Sequence, residues 1–73
     1  MPDINYEIIK DIGVLSETAS GWKKELKLIS WLGREPKYDI RDWAPDGGKM
    51  GKGVTLSAEE LKSLKVILEE NEF

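Results

Sequence analysis

Polar and apolar residues alternate in two neighbouring stretches of this 73-residue chain, and each alternation predicts a β-strand with two unlike faces. In Trp22–Leu32 (WKKELKLISWL), Leu26 and Leu28 fall on one side while Lys23, Lys27 and Trp31 fall on the other. Leu32-Gly33-Arg34-Glu35-Pro36 then supplies a tight connection. Lys37–Trp43 (KYDIRDW) alternates again, with Tyr38 and Ile40 opposed to Lys37, Asp39, Arg41 and Trp43. Paired antiparallel, the two strands place cations and indoles side by side on one face and Leu26, Leu28 and Ile40 on the other. The expectation is that the aliphatic face is buried and the basic, aromatic face open.

Three further elements follow from the pattern. Tyr6–Leu15 (YEIIKDIGVL) is aliphatic and ends at the polar stretch Ser16–Gly21, which predicts a first strand. Ala44–Gly53 (APDGGKMGKG) reads as a loop, mobile without ligand, and Val54–Leu56 as a short strand leading into a helix. Ser57-Ala58-Glu59-Glu60 has capping-box spacing, and Leu61, Leu64, Ile67 and Leu68 share one helical face, so a helix is predicted over Ala58–Glu70. The sum is one α+β domain over 1–73: four antiparallel strands, then one C-terminal helix. A domain of this size buries only about 60% of its unfolded surface, so a partner copy against the apolar helix face is favourable.

Composition narrows the chemistry. The chain has no cysteine and no histidine. Disulfides, thiolate zinc sites and imidazole-based catalysis are therefore excluded. No run of about 18 apolar residues is present, and the start shows no basic segment followed by a long apolar one, so a soluble, cytoplasmic protein with no membrane partner is expected. The net charge of −3 hides an uneven distribution: residues 1–20 and 54–73 are each acidic by three charges, while residues 21–53 are basic by three.

All three tryptophans lie in that basic island. Trp22, Trp31 and Trp43, interleaved with Lys23, Lys24, Lys27, Arg34, Lys37 and Arg41, supply the two components that bind single-stranded nucleic acid: aromatic faces for bases and cations for the backbone. Lys49 and Lys52 in the glycine-rich loop add flexible phosphate contacts. The competing account is that tryptophans in small domains are ordinarily core and strand lysines a solvated face. What favours binding is that Trp31 and Trp43 share a face with the cations.

An enzyme reading rests on Glu35, Asp39 and Asp42 as a metal-holding carboxylate group, but Asp39 and Asp42 fall on opposite faces of one strand. The 47–53 stretch (GGKMGKG) lacks the GxxxxGK[ST] pattern and precedes a strand, which argues against a nucleotide site. No catalytic residue, metal, cofactor or small-molecule substrate is expected.

Asp39-Ile40-Arg41-Asp42-Trp43, Gly51-Lys52-Gly53-Val54-Thr55-Leu56 and Ser57-Ala58-Glu59-Glu60-Leu61, in this order and spacing, resemble the positive cofactor four family of transcriptional coactivators. The likeness spans roughly residues 21–70 and is nearest to the short bacterial, YdbC-like branch. It implies a curved four-stranded sheet followed by a helix, a homodimer, and grip on single-stranded DNA with little sequence preference. Carried over, Trp31 matches the aromatic ending the second strand, Arg41 the strand arginine, Trp43 the aromatic beyond it and Lys52 the loop lysine; Lys24 and Arg34 match basic positions. No serine- and acid-rich regulatory extension like that of eukaryotic members precedes Gly21, so phosphorylation control is not expected. The function implied is support of transcription, replication or repair by capture of melted DNA. Single-stranded RNA binding, or a protein-interaction module built on exposed tryptophans, are the alternatives.

Overall fold

The computed structural model describes residues 5–73; the first four residues of the expected 1–73 unit lie outside the described residues. Strands β1 (Tyr6–Glu17), β2 (Lys23–Trp31), β3 (Lys37–Trp43) and β4 (Met50–Leu56) precede helix α1 (Ala58–Glu69). They form one antiparallel sheet in the order β1-β2-β3-β4, as the sequence pattern led one to expect. The β2–β3 register is unbroken from Lys23↔Trp43 to Ile29↔Lys37, so odd-numbered residues of both strands share one face. The turn between them takes Leu32 to φ 53° and Gly33 to φ 73°, with the Arg34 amide donating to the Trp31 carbonyl at 2.9 Å. Both central residues being left-handed suits the twist of the flanking strands, and Leu32 carries the steric cost.

β1 is longer than the nine-residue β2 because it is bulged. Register slips occur between Ile8 and Lys10, Asp11 and Gly13, and Val14 and Ser16. Bulges bend and twist the strand that bears them. The curl they promote is visible in the rings: Tyr6 lies 5.6 Å from the Trp31 ring and 5.9 Å from the Trp43 ring. Trp31 is eight residues along β2 from Lys23, the partner of Trp43, and a straight strand would hold them about 26 Å apart. The odd-numbered face is therefore the inside of a strongly curled sheet.

That curl overturns the expected assignment of faces. The buried residues are Lys27, Ile29, Asp39 and Trp43, all on the basic, aromatic face, whereas Leu26, Leu28 and Ile40 on the outer face are only half-buried. Sequence alternation separates the two faces correctly, but the face that closes inward is the one carrying the large rings and the ion pairs.

The remaining differences are local. β1 continues two residues past Leu15, and β2 occupies Lys23–Trp31, inside the expected Trp22–Leu32. β4 starts at Met50 instead of Val54, so the last four residues of the expected mobile loop are strand. Gly53 explains why: a Cβ there would sit 2.4 Å from the Ile40 carbonyl oxygen and 2.7 Å from the Arg41 Cβ. Glycine is what lets β4 approach β3 beside the bulge opposite Arg41–Trp43. The helix follows its capping box, with the Ser57 hydroxyl accepting from the Glu60 amide and the Glu60 carboxylate from the Ser57 amide, and Glu70 serves as its C-cap. It does not cover the sheet. α1 touches β3 and β4 only marginally; Leu61 and Leu64 are half-buried, and Val66, Ile67 and Leu68 are exposed.

Candidate nucleic-acid interface

Two cation-on-indole units organise the inner face. Asp39, fully buried, accepts from Arg41 Nε at 2.9 Å and from Arg41 Nη2 at 3.1 Å, and also accepts the Thr55 hydroxyl at 2.9 Å. The third Arg41 nitrogen donates to the Gly51 carbonyl at 3.2 Å, and the guanidinium lies 5.2 Å from the Trp31 ring. The strand pairing dictates this set, since Asp39 stands opposite Thr55 and Arg41 opposite Gly53. In the second unit, Lys27 Nζ donates to Asp11 and to Glu25 (3.0 Å) and lies 5.1 Å from the Trp43 ring. Burial pulls the Lys27 pKa down, but the hydrogen bonds to Asp11 and Glu25 and their negative charge outweigh it and leave the group above its usual 10.5. Lys27 is thus a firmly protonated, internally neutralised ammonium.

The indole nitrogens of Trp31 and Trp43 are buried without a hydrogen-bond partner among the described residues. Each of these rings has Tyr6 against it and a cation over it, Arg41 over Trp31 and Lys27 over Trp43.

The expected contact residues divide into an inner set and a rim. Arg41 is half-buried, its guanidinium taken up by Asp39 and the Gly51 carbonyl, while Trp43 and Lys27 are internal, at 2% and 7% exposed. Neither is an open contact surface here, because the curl seals Trp43 beneath Lys27 and Tyr6. Trp31 on the inner face and Trp22 are half-buried, but the Trp22 ring lies beside Gly51 and Asp42, on the outer side of the sheet, and not with Trp31 and Trp43 as expected. Lys23, Arg34, Lys37, Lys49 and Lys52 form no ion pair among the described residues, and Lys24 makes only a loose one to Asp42 at 3.8 Å. Lys24 shares the outer face of β2 with Leu26, whereas Lys23 and Lys37 sit on the inner-face side of their strands. Arg34 and Lys37 lie at one end of the β2–β3 ladder and Lys23 at the other, where the 44–49 connection returns through the Ala44 amide donating to the Lys49 carbonyl at 2.9 Å. Cations without an ion pair among the described residues therefore flank the aromatic face at both ends.

Residues that sequence reasoning passed over also shape the face: Tyr6, which contacts two indoles; Asp11 and Glu25, which hold Lys27; and Thr55, which completes the Asp39 cluster. Only Tyr6 had a signal in the sequence, as an aromatic at the start of an aliphatic strand.

The carboxylate group of the enzyme reading is dispersed. Asp39 is consumed by Arg41 and Thr55, Asp42 pairs with Lys24 on the outer face, and Glu35 borders a shallow cleft with Pro36, Lys37, Ser57, Ala58 and Glu59. Among the described residues no three acidic side chains are grouped to hold a metal ion. No helix among them is long and apolar enough to cross a membrane.

Comparison with known proteins agrees with the geometry. A protein of Treponema pallidum (strain Nichols), itself described as uncharacterized, is 53% identical over 66 residues, which cover 90% of this chain and 78% of that protein. Residues 18–67, from the turn after β1 to within two residues of the end of α1, match the family described as transcriptional coactivator p15 (PC4). With most of its sheet, its turn chemistry and its capped helix inside that match, the chain belongs to the transcriptional coactivator p15 (PC4) family of nucleic-acid-binding proteins and has a close bacterial relative.

Proposed function

We propose that this protein binds single-stranded DNA without marked sequence preference and, by holding melted strands, supports transcription, replication or repair. The observation that carries the reading is the arrangement of cations without an ion pair among the described residues, Arg34 and Lys37 at one end and Lys23, Lys49 and Lys52 towards the other, flanking a face on which Trp31 stays partly exposed. A strand crossing the face would meet a cation, a stacking ring and a cation in turn. Base stacking on an aromatic ring contributes about 1–3 kcal/mol per base and is indifferent to base identity. Phosphate neutralisation by the flanking cations adds a salt-dependent contribution. Arg41, Trp43 and Lys27 act beneath the surface, fixing Trp31 and the curl, and no group on the face performs chemistry. In a bacterium such a ligand implies a cytoplasmic, nucleoid-associated location.

The working unit in this proposal is a homodimer. Leu61 and Leu64 are half-buried and Val66, Ile67 and Leu68 exposed on a helix that buries nothing, and the outer sheet face leaves Val54 about half exposed. A second copy covering both surfaces would supply the burial that a 73-residue chain lacks by itself.

Tryptophan fluorescence titrated with single-stranded oligothymidine, a matched duplex and a single-stranded RNA, each at low and high salt, tests the function. Quenching by the single strand that weakens with salt, against a weak duplex response, is expected; a stronger response to RNA would reassign the ligand. No response at low salt refutes nucleic-acid binding, and sedimentation of the same sample as a monomer refutes the dimer.

A further inference from the structure

Lys27 and Arg41 are the only cations on the inner face engaged by carboxylates among the described residues, and three carboxylates, Asp11, Glu25 and Asp39, oppose these two charges. The middle of the face is therefore net negative while its ends are basic. Asp11 differs from the other two acids. Its side chain is 71% exposed, against 18% for Glu25 and 0% for Asp39, and it reaches Lys27 from the edge strand β1, which precedes the family-matched residues 18–67.

Its position depends on a bulge. Ile8 stands opposite Ile29, so an unbroken ladder would put Lys10 opposite Lys27, two like charges face to face. The register slip between Ile8 and Lys10 moves Lys10 opposite Leu28 and brings Asp11 opposite Lys27. The bulge thus replaces a repulsive pair with an ion pair, and it lays the carboxylate on the solvent side of an ammonium whose own side chain is 8% exposed.

Building on the single-strand reading above, we propose that Asp11 is a built-in competitor of the bound strand. Its carboxylate occupies the solvent-facing donor of Lys27 that a backbone phosphate would otherwise neutralise, and so restrains the affinity of the face. An ammonium offers three donors. Glu25 keeps one when Asp11 is neutralised, and a phosphate oxygen takes the vacated one, turning Lys27 from a structural cation into a contact. The acidic edge strand then serves as a brake that favours rapid release.

The test compares the wild type with Asp11→Asn, Glu7→Gln and the double variant Asp11→Asn/Lys27→Met, by anisotropy of a labelled oligothymidine over a salt series. Glu7 lies on the same strand opposite Ser30, three ladder positions away from the Asp11–Lys27 pair, and controls for the loss of one negative charge. Asp11→Asn should bind about tenfold tighter at low salt and steepen the salt slope by about 0.7, the contribution of one added phosphate contact. Glu7→Gln should change affinity by less than about twofold, as a distant exposed charge is largely screened. The double variant should lose the gain. An Asp11→Asn affinity equal to wild type, an equal gain in Glu7→Gln, or a gain that survives in the double variant overturns the proposal while leaving single-strand binding intact. Absence of binding by the wild type overturns both.

Discussion

Replacing Asp39 with alanine should destabilise this protein more than any other single charge removal. The carboxylate is wholly buried and accepts two hydrogen bonds from Arg41 and one from Thr55. Its removal strands a guanidinium that is 19% exposed and keeps only the Gly51 carbonyl as a hydrogen-bond partner. Breaking a buried pair from one side costs about 3–5 kcal/mol, chiefly through the uncompensated charge, and the orphaned Thr55 hydroxyl adds about 1 kcal/mol. A domain of this length has roughly 4–11 kcal/mol in total, so Asp39→Ala should lose about half of its stability or more. Asp42→Ala removes a carboxylate three residues away whose loose partner Lys24 is about half exposed, and should cost less than about 1 kcal/mol. Urea unfolding followed by tryptophan fluorescence at fixed protein concentration reads both. The double variant Asp39→Ala/Arg41→Met separates buried charge from lost contacts: with both partners apolar, at least half of the stability should return. A cost for Asp39→Ala as small as that for Asp42→Ala, or no recovery in the double variant, would refute the reasoning.

Other outcomes follow from single contacts. Gly53→Ala forces a Cβ to 2.4 Å from the Ile40 carbonyl and should cost more than about 2 kcal/mol in the same assay, whereas Gly13→Ala meets nothing within 4 Å and should be close to neutral. Ser57→Ala should cost about 1 kcal/mol by removing the helix cap. The Ser57 amide and hydroxyl hold the Glu60 carboxyl below its usual 4.5, so its contribution is present above about pH 4.5 and lost as pH falls through the lowered value; circular dichroism should show the helix weakening in acid, and less so in Glu60→Gln. Trp31→Ala should weaken oligothymidine binding by about 1–3 kcal/mol, read by anisotropy, without the collapse expected of Trp43→Ala, whose ring is core.

Much of this architecture is legible in the sequence because its signals are local. Strand parity in β2 and β3, the capping box at Ser57 and the tight turn after Trp31 each follow from a few adjacent residues. What was not legible depends on pairing between distant segments. Alternation assigns Leu26 and Trp31 to different faces, but which face turns inward is decided by bulges in β1 and by rings meeting across the curl. The same holds for Gly51 and Gly53, whose flexibility suggests a loop until β3 is seen to pack too closely for any side chain at Gly53. Lys27 and Arg41 look like free contact cations in sequence because Asp11 lies on a different strand, and because Glu25 and Asp39, each two residues away on the same strand, become partners only once that face turns inward.

The central claim, that the curled aromatic face and its flanking cations receive a single strand, is tested most directly by titrating 15N-labelled protein with oligothymidine and mapping the resonances that move. The indole N–H signal of Trp31 and the backbone amides of Lys23, Gly33, Arg34 and Lys37 should shift together and return towards their free positions at high salt. Shifts confined to α1 and the outer-face residues Leu26, Leu28 and Ile40, with the Trp31 signal unmoved, would contradict the account.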